Sequence, residues 1–382
     1  MKIPFLSGKR KPNIVMILID CGGREDAITK VPFYQKLKES SVLFSSFITY
    51  APYTIGALNA MFSGMYGNLN GVQGYYKSYS FDKDHVFTLT QYLKDEGYYT
   101  EMDFPIEDVL PQQGFDKVRL FGKDETKEID LLQRHCEVLN QIKDKQPFFL
   151  FLEYNKLGLT LMREVIKKYD DYNEDYFRNK EKNFSRYLKE LEESGNYLEG
   201  YFTKMKELDL FENSIIVVFA DHGSSVGDKP GEKVYGTYLY DYTIKCWAYV
   251  IGNGIPKNLE IRQVVRNIDL LPTILELLKI SVKKKYKPIQ GRSLLPLLTG
   301  KKEARIAYSE TGGLGGPTPS PEKHNIRAVR TDKWKLIYNE TNKKKELYDL
   351  ENDREEINNL IGKGLDIEKL LWDELQRQGE LL

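Results

Sequence analysis

Cysteine and histidine are scarce in this sequence, with three and four residues among 382. Cys21, Cys136 and Cys246 are odd in number and far apart, which excludes a disulfide-built fold and suits a reducing, cytoplasmic setting. Long apolar runs are missing as well. The run "IVMILI" has six residues, well short of a bilayer span or a leader core, so no membrane span and no cleaved leader is expected. Charge of one sign is also lacking: Lys+Arg and Asp+Glu are both 56, so no global field favours nucleic acid or an anionic membrane. Any anionic ligand therefore needs a local site. What is present is enough chain for one large domain or two smaller ones, with an apolar content of 41% that supports an ordinary globular core.

"NIVMILIDCGG" reads as a strand buried on both faces, ending at an acid and two glycines. "QPFFLFLEYN" and "ENSIIVVFADHGSS" repeat the pattern. Helical periodicity separates them in "VPFYQKLKESS", "FTLTQYLKDEGY", "EIDLLQRHCEVLNQI" and a charged stretch from about 174 to 208. "VVRNIDLLPTILELLKI" predicts a further helix with Pro272 near its start. The layout is α/β, with a large mixed, mostly parallel sheet flanked by helices. Past "GRSLLPLLTGKKEA" the pattern changes. "ARIAYSETGG" is a strand entering a flexible Gly/Pro-rich loop over 312–321, and "NIRAVRTDKWKLIYNETNKKKELYDLEND" predicts two or three antiparallel strands before a charged terminal helix. A boundary near residue 300 divides a main α/β unit (1–300) from a C-terminal unit (301–382) with the small antiparallel sheet and that helix.

The stretch "APYTIGALNAMFSGMYGN" places one hydroxyl, Thr54, ahead of a short apolar helix that stops at Ser63-Gly64. Two readings stand side by side. Thr54 is a helix cap, or it is a nucleophile whose developing alkoxide is favoured by the positive end of the helix. Ligands collect at the carboxyl ends of strands in open α/β sheets. Asp20 follows the first strand, and Asp221-His222 follows "SIIVVFA". Two carboxylates and an imidazole there make a reasonable shell for a divalent ion.

Taken together, "KPNIVMILIDCGGREDA", "APYTIGALNAMFSGMYG", "IIVVFADHGSSVGD", "VRNIDLLPTILELL" and "AVRTDKWKLIYN…KELYDLENDREEINNL" resemble the sulfatase branch of the alkaline phosphatase superfamily, in that family's order from residue 12 to about 361. The resemblance implies that Thr54 is the nucleophile and Gly64 the glycine ending its motif. It also implies that Asp20, Asp221 and His222 hold a divalent ion, which touches Thr54 as well. That ion would lower the hydroxyl pKa and neutralise the substrate oxyanion.

The departures from the family are specific. Formylglycine sulfatases carry C/S-x-P-x-R, whereas the letters here are "TIGAL", with Thr54, Gly56 and Leu58 in place of Cys, Pro and Arg. Threonine cannot become formylglycine, and threonine nucleophiles belong to the phosphoryl-handling relatives. The reading is therefore a metal-dependent enzyme that cleaves or transfers a phosphoester of a small molecule or glycan. A sulfuric-ester hydrolase and a catalytically faded binding relative are the alternatives. One divalent ion is expected, with Mn²⁺, Mg²⁺ or Ca²⁺ ahead of Zn²⁺, and Cys21 is taken as a small buried residue.

Where relatives keep substrate-binding histidines or lysines, this chain has "EYNKLG" and "KVYGTYLYD". Glu153, Lys156, Lys233 and Tyr235 are thus candidates for contacting substrate, and Arg24 is a further candidate for its anion. His324 is either an acid that closes over the site or a plain loop histidine. Tyrosine clusters such as "GYYKSYS", "KKYDDYNEDYF" and "YGTYLYDY" line a sugar cleft or simply pack. The basic run "SVKKKYK" is expected to be a solvated turn.

Overall fold

"NIVMILI" forms a strand in which every residue is buried, as a run with no polar alternation requires when helices cover both faces. The computed structural model describes residues 11–75, 77–122, 128–161, 175–314, 321 and 323–380. Nine strands among them build the larger sheet. They are β1 (Asn13–Ile19), β2 (Val42–Ile48), β3 (Tyr99–Phe104), β4 (Lys117–Leu120), β5 (Phe148–Tyr154), β6 (Ser214–Phe219), β7 (Lys245–Gly252), β8 (Leu259–Ile261) and β9 (Val265–Arg266). The order is β4-β3-β5-β1-β6-β7-β2-β8, with β9 also on β2. The pairs from β4 through β6 are parallel, and β7 runs against both β6 and β2. Parallel pairing sets Leu18 beside Glu153 on one side and Phe219 on the other, so β1, β5 and β6 end at one rim.

The helices match their sequence signals. Thr88 and Gln91 form a capping box ahead of Leu89–Asp95, and the charged stretch becomes the helices Asp175–Arg178 and Lys180–Glu207. Pro272 sits in the first turn of Leu270–Leu277. The basic run is a turn whose Lys287 pairs with Asp82 at 2.8 Å and whose Lys283 pairs with Asp95. No helix among the described residues is long and apolar enough to cross a membrane.

The second sheet is antiparallel and has four strands: β10 (Ala307–Thr311), β11 (Ile326–Arg330), β12 (Trp334–Asn339) and β13 (Lys344–Asp349). The helix Asp366–Glu380 buries Leu371 and Leu375 in the same apolar cluster as Val329, Leu336 and Leu347. Tyr50, Ala51 and Tyr53, from the segment leading to Thr54, share that cluster. The sheets are also tied by charge. Lys335 of β12 is fully buried between Asp241, at 2.5 Å, and Glu356, at 2.7 Å. Arg330 adds a second cation on Asp241 at 2.9 Å, and Glu356 accepts from the Asp241 backbone N–H. The acidic motif "ENDREEINN" therefore acts as structure, sending Glu356 into the joint. Most of the Gly/Pro-rich loop and the "KKYDDYN" tyrosines lie outside the described residues.

Candidate active site

The carboxyl rim of β1 and β6 gathers the expected groups. Asp20 follows β1 directly and donates its backbone N–H to Tyr154 of β5 at 3.0 Å. The next turn doubles back onto β6 through Gly23, whose N–H donates to the His222 carbonyl at 3.0 Å. A Cβ on Gly23 would fall 2.6 Å from the His222 backbone and 2.7 Å from Cys246 Sγ, so only glycine allows this approach.

Thr54 opens the helix Thr54–Ser63, which ends at Gly64 in the left-handed conformation. Tyr53 occupies the cap position and the Thr54 side chain makes no capping bond, so the cap reading is not realised. Its Oγ1 instead donates to Asp20 Oδ1 at 3.3 Å and lies 3.4 Å from His222 Nε2. His222 Nδ1 sits 2.9 Å from the Gly223 carbonyl, which fixes the proton there and leaves the Nε2 lone pair facing the rim. Burial lowers the imidazole pKa and keeps it neutral. Asp221 Oδ1 accepts the His222 backbone N–H at 2.9 Å, while the buried Oδ2 has no hydrogen-bond partner.

Asp20, Cys21 and His222 each bring one donor atom within 4.8 Å of the others. With the orphaned Asp221 oxygen beside them, the donor set fits a divalent cation. Burial pushes the Asp20 carboxyl up to about 6 and that of Asp221 to about 7. A cation must displace those protons, so its affinity is expected to rise as the pH is raised from 5 to 8. Calorimetric titrations in buffers of different ionisation enthalpy would count the released protons and check this.

Not every predicted residue joins the cluster. Tyr235 does, its ring centroid 4.4 Å from that of His222. Lys156 opens the short helix Lys156–Thr160, Glu153 is buried one residue inside the end of β5, and Lys233 is buried as well. Arg24 is a correction. Its guanidinium is buried and held by Asp228 at 2.6 Å, Asp26 at 2.8 Å and the Ser224 carbonyl at 3.1 Å, so it anchors the turn instead of facing an anion. His324 lies in a loop, yet it is buried, hydrogen-bonded to the Tyr53 hydroxyl and 3.5 Å from Glu310 Oε2.

Sequence reasoning missed Gly158. A Cβ there would lie 2.2 Å from Asp20 Oδ2 and 3.0 Å from Cys21 Sγ. Gly158→Ala is therefore expected to push Asp20 out of line and cost on the order of 10²-fold in turnover. Parallel kinetics and a thermal melt would check that the loss is local.

The family model described as Sulfatase matches residues 12–280. A second, for the N-sulphoglucosamine sulphohydrolase C-terminal region, matches 238–380. Arylsulfatase K from Gallus gallus is 25% identical over 86% of this chain and 74% of its own. Among solved structures, a 2-O GAG sulfatase superposes with a TM-score of 0.78 at 18% identity, covering 97% of this chain and 91% of that one. The phosphonate monoester hydrolase of Agrobacterium radiobacter gives 0.73 at 13% identity, covering 97% and 95%. At such identities the structural likeness speaks for the fold alone. With its family model spanning most of its length, the chain belongs to the sulfatase family.

Proposed function

We propose that this protein is a metal-dependent hydrolase of sulfuric-acid esters carried on sugars, with Thr54 as the attacking group. The convergence of Thr54 Oγ1, Asp20 Oδ1 and His222 Nε2 at one sheet rim carries the reading. Membership of the sulfatase family and the arylsulfatase relative support the sulfuric-ester class. Asp20 accepts the Thr54 proton across 3.3 Å. Thr54 Oγ1 then forms a bond to sulfur as the bond from sulfur to the sugar oxygen breaks, and the leaving alcohol takes up a proton. Water then attacks sulfur, the bond from sulfur to Thr54 Oγ1 breaks to release hydrogen sulfate, and Oγ1 recovers its proton from Asp20. A divalent cation held by Asp20, Asp221 and His222 would stabilise the Thr54 alkoxide and the oxyanion of the transferred group. The Tyr235 ring covers His222 and presents an aromatic wall to a sugar.

One observation favours a second reading. Position 54 holds threonine, a residue suited to direct attack on phosphorus, which supports phosphoester cleavage on the same atoms. Hydrolysis of p-nitrophenyl sulfate, a sulfated disaccharide, p-nitrophenyl phosphate and bis-p-nitrophenyl phosphate by the cation-loaded chain separates the two. Release of sulfate from the sulfated substrates is the expected result. Release of p-nitrophenol from either phosphate ester, without release of sulfate from the sulfated substrates, would install the phosphoester reading. Inertness toward all four would leave a binding protein.

A further inference from the structure

We propose that Cys21 is a thiolate ligand of the active-site cation, so that the site selects a zinc-class ion over Ca²⁺ or Mg²⁺. This rests on the cation site described above and names the ion class it takes. It replaces the expectation of a shell built from Asp20, Asp221, His222 and Thr54 with Cys21 as filler. Cys21 Sγ lies 4.0 Å from His222 Nε2, and Asp20 Oδ1 lies 3.8 Å from the same nitrogen. Two ligands about 2.1 Å from a tetrahedral ion stand about 3.4 Å apart, so a small contraction closes the set.

The backbone is arranged to aim that sulfur. Cys21 has φ 62°, in the left-handed region a side chain seldom adopts. Such a residue persists only where its surroundings fix it. Here its carbonyl accepts from the Tyr187 hydroxyl at 3.0 Å and from Ser224 Oγ at 3.1 Å. Gly158 opposite has no side chain, and any Cβ there would crowd both Asp20 Oδ2 and Cys21 Sγ. The glycine leaves room beside two donor atoms at once.

A second observation points to an ion independently of the cysteine. Asp221 Oδ2 is buried without a hydrogen-bond partner, 3.6 Å from His222 Nε2. A buried carboxylate oxygen left unpaired is costly unless something charged completes it. Hard cations choose all-oxygen shells, whereas one sulfur and one imidazole nitrogen suit Zn²⁺ and its neighbours. Binding releases the thiol proton to solvent, and the sulfur–metal bond takes its place.

The full chain, stripped with a chelator and titrated with Co²⁺, provides the test. A sulfur-to-cobalt charge-transfer band in the near ultraviolet is expected at one equivalent, lost in Cys21→Ser and kept in Cys246→Ser. Zn²⁺ should displace Co²⁺, while Ca²⁺ in large excess should not. Zn²⁺ binding should weaken at least ~100-fold in Cys21→Ser, beyond what loss of a ligand's outer partner costs. X-ray absorption of the Zn²⁺-loaded unaltered protein should show a sulfur neighbour at about 2.3 Å, a reading independent of whether any variant folds. Absence of both the band and the sulfur shell, or ready displacement by Ca²⁺, would overturn the proposal. The band without ester hydrolysis would keep the cation assignment and remove the hydrolase reading. Hydrolysis supported by Ca²⁺, without the band, would do the reverse.

Discussion

Thr54→Ala is expected to lower kcat at least about 10⁴-fold on whichever ester the protein cleaves, with KM little changed, because the lost interaction exists only along the reaction path. The fold should survive, with a stability change within about 1 kcal/mol. The reason is local: the Thr54 side chain caps nothing, and its contacts are to Asp20 and His222. Thr54→Ser keeps the hydroxyl and should retain most of the rate. Steady-state kinetics with a thermal melt on each variant decide the matter. A Thr54→Ala protein that still turns over would place the attacking atom elsewhere.

The largest effect on stability is expected at Lys335. Its ammonium is wholly enclosed between Asp241 and Glu356. Lys335→Met would fill much of the same space but leave the buried Glu356 without its cation, with Arg330 still opposite Asp241. Removing one partner of a buried ion pair costs on the order of 3–5 kcal/mol, far above a surface pair. Denaturant unfolding should show that loss, and Glu356→Gln in the same chain should return part of it by removing one stranded charge. A loss below about 1 kcal/mol would mean that water reaches the joint.

The candidate site was legible because its chemistry sits at places the chain marks strongly. Asp20 and Asp221 each follow an uninterrupted apolar strand, and Thr54 stands where a helical pattern begins after proline and tyrosine. The fold class followed from the same runs, since strands without alternation must be covered on both faces. What stayed hidden depends on which partner a side chain finds. Arg24 looks like an anion receptor beside two glycines, yet Asp228, some two hundred positions away, holds it. Gly158 is one of 29 glycines, and nothing local marks it as the one against Asp20. Cys21 reads as a filler because its left-handed backbone, which aims the sulfur, is imposed by Tyr187 and Ser224 from distant segments. The ester class turns on a conflict between two observations. Thr54 argues for phosphorus from a single letter, whereas the Gallus gallus relative, alike over 86% of the chain, is an arylsulfatase.

Strand β10 has a meaning for the chain as a whole. Its Glu310 N–H donates to the Tyr50 carbonyl at 2.8 Å, and Ser309 Oγ donates to the Thr49 carbonyl at 2.6 Å. The few residues that deliver Thr54 to the rim are thus held from outside the sheet that carries Asp20 and Asp221. The position of Thr54 then draws on both sheets, since Thr49 N–H also donates to the Ile244 carbonyl at 3.0 Å. If the chain is cut near residue 300, activity is expected to fall, and mixing the two fragments to restore it as the second sheet docks. Regained turnover would in that case serve as a clock for assembly.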